Sequence, residues 1–145
     1  KYYKGFIYTN DLATWDKNQF VTIIGRKDDM IISSGENIYP TEVEAVLNTH
    51  AKVKDCIVTS VPDKIRGQIV TAYIVPVASI EEAEHGLAEE LDEFCKESNE
   101  IANFKRPRYY RFVSQIPFNA TGKKLHVKIK EIASRDQKNG LLYRV

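Results

Sequence analysis

Short apolar runs alternate with polar turn residues at the start of the chain, a pattern typical of β-strands. Strands are predicted at 5–9, 12–15 and 20–24. The polar residues 16–18 separate the last two runs and favour a turn, so we predict a β-hairpin there. Residues 25–29 begin with a glycine followed by four charged residues, which indicates a linker.

The next part of the chain predicts a short strand, a turn and then a helix. Residues 30–32 are apolar and predict the strand, and the polar residues 33–37 predict a turn or loop. Thr41 follows a proline and precedes Glu44 by three residues, the spacing of a capping box. We therefore predict that a helix begins at Thr41.

The remainder of the chain predicts three strands and two helices. The strands are predicted at 55–61, 68–77 and 108–114, one helix at 80–98, and a closing helix after Lys124. Apolar residues of the helix at 80–98 recur on one face, so we expect it to pack on a sheet. This order indicates an α+β domain with a small three-stranded sheet, flanking helices and the N-terminal β-hairpin.

Composition and charge exclude several classes of protein. Of the 145 residues, 43% are hydrophobic, which is enough for the core of one domain. The formal net charge is only +1, whereas nucleic-acid-binding domains usually show a marked basic excess, so no nucleic-acid partner is expected. No apolar run approaches the length of a transmembrane segment, and none is expected.

The cysteines and histidines do not predict a metal site. Cys56 lies in an apolar strand-like run and Cys95 on the apolar side of a helix, so we interpret both as buried, reduced thiols of a cytoplasmic protein. The histidines share no metal-ligand spacing; they are His50, His85 and His126.

The charged linker is the first candidate for chemistry. A planar guanidinium such as that of Arg26 can hold a ribose hydroxyl or a phosphate oxygen through two hydrogen bonds. The carboxylate of Asp28, in a linker led by Gly25, suits a hinge that absorbs a change in backbone angles. These residues alone are explained at least as well by an ordinary charged linker.

The second candidate is Lys123, which ends the run A-T-G-K. Gly122 allows a long cationic side chain to leave a tight turn and reach into a cleft. An ammonium placed there would offset the repulsion between two anions that approach each other in such a cleft. Lys124 would lie outside that pocket. Taken alone, the two lysines are equally consistent with solvated residues at the start of a helix.

The third candidate combines an aromatic ring with cations before the last predicted strand. Phe104, Arg106 and Arg108 stand close together in the run F-K-R-P-R. Ring stacking and guanidinium pairing suit a ligand that carries both an aromatic ring and a phosphate. An exposed solubilising patch remains the alternative interpretation.

Two segments far apart in the chain resemble a known family. They are G-R-K-D-D-M-I-I-S-S-G-E-N-I-Y-P-T-E-V-E, from Gly25 to Glu44, and I-P-F-N-A-T-G-K-K, from Ile116 to Lys124. In this order they resemble the C-terminal lid of acyl- and aryl-CoA ligases, which belong to the adenylate-forming superfamily. The resemblance implies that residues 1–24 are trailing strands of an N-terminal body, 25–28 a hinge and 29–145 the lid. The start at a lysine rather than a methionine likewise suggests a piece of a longer protein.

The resemblance also implies roles for individual residues. Lys123 would be the catalytic lysine, Arg26 would contact the AMP ribose, and Asp28 would be the pivot. The run Y-T-N-D-L, from Tyr8 to Leu12, resembles a motif whose aspartate binds both ribose hydroxyls, a role that would fall to Asp11. No arginine precedes the threonine of this run, and Asn10 replaces the usual glycine.

CoA would be held by a further set of residues. The loop around Gly35 would line the pantetheine tunnel, although many relatives carry a lysine where this chain has Ile32. Arg66 would stack on the adenine of the nucleotide. Phe104, Arg106 and Arg108 would contact the nucleotide end of CoA.

The implied activity is ATP-dependent adenylation of a carboxylic acid followed by thioester formation with CoA. The expected partners are the N-terminal body, the acid, ATP and CoA, with Mg²⁺ accompanying ATP and bound by that body. The isolated chain is expected to be inactive. The resemblance around residues 30–40 slightly favours ligases that act on aryl or medium-chain acids. Two alternatives stay open: the lid of an adenylation domain that loads a carrier protein, and a noncatalytic α+β binding module.

Overall fold

The computed structural model describes residues 2–3, 5–7 and 9–145, with side chains for residues 5 and 9–145. Its strands are β1 (Tyr2–Tyr3), β2 (Phe6–Ile7), β3 (Asp11–Trp15), β4 (Val21–Arg26), β5 (Ile31–Ser33), β6 (Glu36–Ile38), β7 (Val53–Asp63), β8 (Gly67–Pro76), β9 (Tyr109–Phe112) and β10 (Tyr143–Arg144). Its helices are α1 (Pro40–Leu47), α2 (Ile80–Ala83), α3 (Leu87–Glu97) and α4 (His126–Lys138), and short 3₁₀ turns span Lys27–Asp29 and Asn103–Lys105. Tyr8, from the Y-T-N-D-L run, lies outside the described residues.

The predicted N-terminal hairpin is confirmed as the antiparallel pair β3–β4. Its turn is held by Asp16, whose Oδ1 accepts hydrogen bonds from the backbone N–H groups of Asn18 at 2.8 Å and Phe20 at 3.1 Å. The strand pairing places Asp11 opposite Arg26 at the far end of the hairpin. Strand β4 therefore extends into the segment predicted as a linker.

The predicted loop at 33–37 is a tight hairpin between β5 and β6. Ser34 and Gly35 both have positive φ, 52° and 81°, as a type I′ turn requires at its two central positions. Glycine adopts this geometry without strain, which explains its place at the second position.

A four-stranded sheet in the order β10–β9–β8–β7 forms the centre of the fold. Strands β7 and β8 make a long antiparallel hairpin, β9 runs parallel to β8, and β10 pairs antiparallel with β9. The prediction of an α+β domain is confirmed, but the sheet has one strand more than the three predicted. Strand β10 has only two residues, which is too short to produce a recognisable period in the sequence.

Both faces of this sheet are covered. One buried cluster joins it to α1, α2 and α3, and a second joins it to α4. Successive side chains of β7 point to opposite faces of the sheet: Cys56 and Val58 belong to the first cluster, and Ile57 belongs to the second. Burying a side chain such as Leu91 or Ile129 contributes about 1.5–3 kcal/mol, so the helices are fixed firmly to the sheet.

Two details of the helix predictions are wrong. Helix α1 begins at Pro40, after Tyr39 as its N-cap, and not at Thr41. No capping box forms, because the Thr41 hydroxyl donates to the carbonyl of Ile24 at 3.0 Å and Glu44 points into the domain. The helix predicted at 80–98 is divided into α2 and α3 by Gly86, whose φ of 105° interrupts the helical geometry.

The cysteines are buried free thiols, as predicted. Burial, together with the charge of Glu44, raises the pKa of Cys56 to about 12, and burial raises the pKa of Cys95 to about 11. Neither thiol is therefore a nucleophile at neutral pH. Among the described residues, the helices are all too short or too polar to cross a membrane.

Candidate functional site

Asp11, Arg26 and Asp28 form an exposed ion cluster where the N-terminal hairpin meets the following turn. Arg26 Nη1 lies 3.4 Å from Asp11 Oδ1, and Arg26 Nη2 lies 3.9 Å from Asp28 Oδ2. The structure thus brings together both predicted nucleotide-binding residues and the predicted pivot. Exposed ion pairs are worth about 0–1 kcal/mol, so a ligand can displace these contacts at little cost.

Asn10, which sequence reasoning had noted only as a departure from the motif, belongs to the same cluster. Its side-chain amide donates to Asp28 Oδ2 at 3.2 Å, and its carbonyl accepts from the N–H of Lys27 at 2.8 Å. Asn10 has a φ of 63°, a left-handed geometry that asparagine tolerates better than most residues. The residue in place of the usual glycine therefore contacts the predicted pivot directly.

Lys123 lies at the surface on a turn that Asn119 organises. Asn119 Oδ1 accepts from the N–H of Lys123 at 2.8 Å, from the N–H of Thr121 at 3.0 Å and from the Thr121 hydroxyl at 2.8 Å. Gly122 has a φ of 81°, so the turn needs a glycine at this position. The Lys123 side chain is exposed and forms no ion pair with any described residue.

Lys124 has a different role from its neighbour. Its ammonium donates to the carbonyl of Cys56 at 2.6 Å and lies 2.9 Å from Asp55 Oδ1. Both partners belong to β7, so this lysine fastens the turn to the central sheet. Asn119 is the supporting residue that the sequence analysis missed, and the position of Lys124 outside the pocket stays a prediction.

The Gly35 turn and the Arg66 turn lie side by side. The N–H of Ser34 donates to the carbonyl of Arg66 at 2.9 Å, and the N–H of Ile32 donates to Gln68 Oε1 at 2.8 Å. The Arg66 turn is shaped by Asp63, whose pKa is lowered by hydrogen bonds from the backbone N–H groups of Arg66 and Ile65. Two loops predicted to contact CoA therefore form one surface.

Arg106 is buried inside the domain rather than free at the surface. Its Nε lies 2.7 Å from Asp92 Oδ1, and its Nη1 donates to the carbonyl and the side-chain oxygen of Asn103. Burial alone would raise the pKa of Asp92, but hydrogen bonds from Lys96 and Arg106 outweigh it and lower that pKa. A direct contact between Arg106 and CoA stays a prediction, and these partners point to a role in holding the loop.

Phe104 and Arg108 are more accessible parts of the same loop. The Phe104 ring is 46% exposed, with the Lys105 ammonium 5.8 Å from its centroid. Arg108 Nε is buried and finds no hydrogen-bond partner among the described residues. Burial lowers the pKa of Arg108, and the nearby charges of Arg106 and Arg66 lower it further. This crowding of like charges favours the arrival of an anion.

The structure does not join all the predicted residues into one site. The ion cluster at Arg26, the Lys123 turn and the surface at Gly35 are separate, since no side-chain hydrogen bond or ion pair among the described residues links Lys123 to the other two. Within the described residues, no group of three or more His, Cys, Asp or Glu side chains is placed to hold a metal ion. The expected Mg²⁺ therefore has no evident ligand set in this part of the chain.

Comparison with known proteins identifies relatives that are much longer than this chain. The chain is 41% identical, over 125 residues, to a 2-succinylbenzoate–CoA ligase from Bacillus licheniformis, covering 86% of this chain and 24% of the relative. It is 40% identical to the mitochondrial medium-chain acyl-CoA ligase ACSF2 from Macaca fascicularis, covering 88% of this chain and 20% of the relative. The chain thus spans about a quarter or less of these proteins.

A solved structure and a family model agree with these matches. The o-succinylbenzoate CoA synthetase from Bacillus subtilis, in complex with the acyl-adenylate intermediate OSB-AMP, superposes with a TM-score of 0.78 at 36% identity. The match covers 89% of this chain and 25% of the synthetase. The family model of the AMP-binding enzyme C-terminal domain matches residues 42–123. The chain belongs to this family of C-terminal domains of AMP-binding enzymes.

Proposed function

We propose that this chain is the C-terminal lid of an AMP-forming acid–CoA ligase. In the first half-reaction the carboxylate of an acid attacks the α-phosphate of ATP, which gives an acyl-adenylate and releases pyrophosphate. In the second half-reaction the thiol of CoA attacks the acyl carbon and expels AMP. Residues 1–24 belong to the N-terminal body in this proposal, 25–28 to the hinge and 29–145 to the lid.

The observation that carries the proposal is the contrast between the two lysines of one turn. Lys124 is fastened to the sheet, whereas Lys123 is exposed on a turn fixed by Asn119. Two anions must approach each other in adenylation, so a preorganised ammonium is worth most between them. At an effective dielectric constant of about 20 and a separation of ~4 Å, one such charge contact is worth about 4 kcal/mol.

The cluster at the hairpin suits the nucleotide. The Asp11 carboxylate can accept hydrogen bonds from two vicinal ribose hydroxyls, and the Arg26 guanidinium can donate to ribose or phosphate oxygens. Their mutual contact of 3.4 Å is exposed, so the nucleotide replaces it without a large loss. Asp28 contacts Arg26 at 3.9 Å, and rotation at Asp28 would move the Lys123 turn relative to the body.

The acceptor surface is built by the Gly35 and Arg66 turns and by the loop that carries Phe104. The gathering of the cationic Arg66, Arg106 and Arg108 favours an acceptor with a phosphorylated nucleotide end. This feature supports CoA over a carrier protein, whose phosphopantetheine has no such end. In the intact enzyme, Arg106 holds the loop, while Phe104, Arg66 and Arg108 face the nucleotide.

The class of acid is proposed from the relatives. They act on 2-succinylbenzoate and on medium-chain acyl groups, which supports an aryl or a medium-chain acid as the substrate. Mg²⁺ would enter with ATP and be bound by the N-terminal body. We propose a cytoplasmic location, as expected from the reduced thiols, although ACSF2 is a mitochondrial relative.

The test uses the intact ligase, meaning this chain joined to its N-terminal body. Aryl and medium-chain acids are screened for acid-dependent exchange of pyrophosphate into ATP and for CoA-dependent release of AMP. We expect both activities in the intact ligase and neither in the isolated chain. Arg66→Ala should raise the KM for CoA and leave the exchange unchanged, whereas Arg135→Ala, an exposed arginine of α4, should change neither. Pyrophosphate exchange without any CoA-dependent release of AMP would favour the carrier-protein alternative. The absence of pyrophosphate exchange with every acid would refute the proposal.

A further inference from the structure

His126 lies between two carboxylates that come from different parts of the chain. Its Nε2 is 2.7 Å from Glu44 Oε1, in α1, and its Nδ1 is 3.9 Å from Asp29 Oδ2, in the 3₁₀ turn that also contains the predicted pivot. All three side chains are largely buried, with exposures of 16% for His126, 16% for Asp29 and 8% for Glu44. Glu44 Oε1 also accepts from the N–H of Val58 at 2.9 Å, so the sheet holds this carboxylate in place.

This arrangement favours the doubly protonated form of the imidazole. A neutral histidine has one N–H donor, and its other ring nitrogen is an acceptor that a carboxylate repels. Both ring nitrogens of His126 face carboxylates: Nε2 is within hydrogen-bond distance of Glu44, and Nδ1 lies at the distance of a charge contact from Asp29, so a cationic ring suits both sides. The buried Glu44 also requires a cationic partner, because an unpaired buried charge is costly.

The position of His126 connects this cluster to the lysine turn. His126 is the first residue of α4 and follows Lys123 by three residues. Lys124, directly after Lys123, is fastened to β7. His126, two residues further on, contacts Glu44 of α1 at 2.7 Å and lies 3.9 Å from Asp29. Asp29 is the immediate neighbour of the predicted pivot Asp28. The His126 contacts thus connect the residue three positions after Lys123 to the neighbour of the predicted pivot.

We propose that His126 is a positioning residue for adenylation: as an imidazolium between Glu44 and Asp29, it fixes the Lys123 turn to the segment after the pivot. This inference rests on the proposed function, because it assigns Lys123 to the adenylating step. It extends that function by making the adenylating geometry depend on the charge of a histidine. Deprotonation of His126 removes the positive charge that attracts both carboxylates and loosens the turn.

The charges around His126 support the protonated form. Burial lowers the pKa of His126, but the hydrogen bond and charge of Glu44 and the charge of Asp29 outweigh this, and the pKa is raised above its ordinary value. Lys124 acts in the opposite direction. Asp28 and Lys130 line the same small cavity beside the ring and contribute opposite charges. The start of α4 disfavours a cation, so the carboxylates rather than the helix stabilise the imidazolium.

The kinetic test compares three variants in the intact ligase. His126→Gln keeps one hydrogen-bond donor but has no charge, and we expect the adenylation kcat to fall roughly tenfold to a hundredfold, as for a misplaced catalytic group. We expect the wild-type adenylation rate to decline at alkaline pH as His126 loses its proton. His126→Arg keeps the charge at every accessible pH, so this variant should recover most of the rate and should not show that decline. His85→Gln, the same change at an exposed histidine of the α2–α3 junction, should match the wild type. Thioester formation from supplied acyl-adenylate should be unchanged in all three.

A second measurement separates this inference from the proposed function. In the 145-residue chain, nuclear magnetic resonance of the imidazole nitrogens should show both protonated below a pKa higher than the ordinary value of about 6.5. The backbone amide of Lys123 should shift with the same pKa. A His126 that titrates at or below the ordinary value, or a Gln variant with wild-type adenylation and pH profile, overturns the inference. An inactive wild-type ligase would instead contradict the proposed function, and the titration would still decide the state of His126.

Discussion

The ammonium of Lys124 lies 2.6 Å from the carbonyl oxygen of Cys56, in the central strand pair of the domain. The side chain of the preceding residue, Lys123, is exposed and forms no ion pair with any described residue. Adjacent lysines therefore have different tasks. One lysine fixes the turn to the sheet, and the other is left available for a ligand.

This contrast predicts opposite effects on stability. Lys124→Ala should lower the free energy of unfolding of the chain by about 1–2 kcal/mol, because it removes a charge-assisted hydrogen bond from a partly buried acceptor. Lys123→Ala should change it by less than about 0.5 kcal/mol, as is usual for an exposed site. Urea denaturation of the two variants measures both values. Equal destabilisation would show that the two side chains do not differ as described.

Asn119 is expected to act on catalysis through Lys123. Asn119→Ala removes the acceptor of three hydrogen bonds within the turn, so the ammonium should be less well placed and adenylation should slow roughly tenfold to a hundredfold. Asn119→Asp keeps an acceptor oxygen and should recover most of the rate. The measurement is pyrophosphate exchange in the intact ligase. Wild-type exchange in the alanine variant would show that the turn does not need this residue.

Arg106 is expected to matter first for stability. Arg106→Ala would leave Asp92 buried without its main partner, and the loss of one member of a buried ion pair costs about 3–5 kcal/mol, reduced here because Lys96 remains. Thermal denaturation of the chain should show a clear loss of stability. Arg135→Ala provides the matched control at an exposed position. If Arg106→Ala is as stable as the control and weakens CoA use alone, a direct contact with CoA would be the better interpretation.

The pH dependence of stability should report the His126 cluster. The pKa of His126 is raised in the folded chain, so the protonated ring contributes stability that is complete below its ordinary pKa of about 6.5 and is lost as the pH rises through the higher folded value. The difference in unfolding free energy between wild type and His126→Gln should therefore be largest at mildly acidic pH and decrease at alkaline pH. Urea denaturation across this range measures it. A difference that does not vary with pH would contradict a charged His126.

The local pattern of the sequence predicted most of the fold. The N-terminal hairpin, the two long strands, strand β9 and the closing helix follow from periods of two and 3.6 residues, which are properties of neighbouring residues. The missed edge strand β10 and the division of the helix at Gly86 depend on only a few residues each. Such short features have no period to detect.

The candidate site was predictable in residue type but not in its partners. Asp11, Arg26 and Asp28 were identified from motifs; pairing of β3 with β4 places Asp11 opposite Arg26, and the following 3₁₀ turn brings Asp28 to Arg26. Glu44 was interpreted as part of a capping box from its local spacing. Its actual partner, His126, lies 82 residues later in the chain, and the local sequence cannot show that contact. Arg106 was expected at the surface for the same reason. Its partner Asp92 lies on a different element, and only the tertiary packing joins them.

The most direct measurement is the effect of Lys123→Ala on the two half-reactions of the intact ligase, with Lys128→Ala, an exposed lysine of α4, as the control. Removal of an ammonium that stabilises developing charge should slow adenylation by at least about a hundredfold. Thioester formation from supplied acyl-adenylate and CoA should stay within about twofold of the wild type, because it does not use this side chain. Wild-type adenylation in Lys123→Ala, or an equal loss in both half-reactions, would contradict the assignment of Lys123 as the mobile catalytic cation.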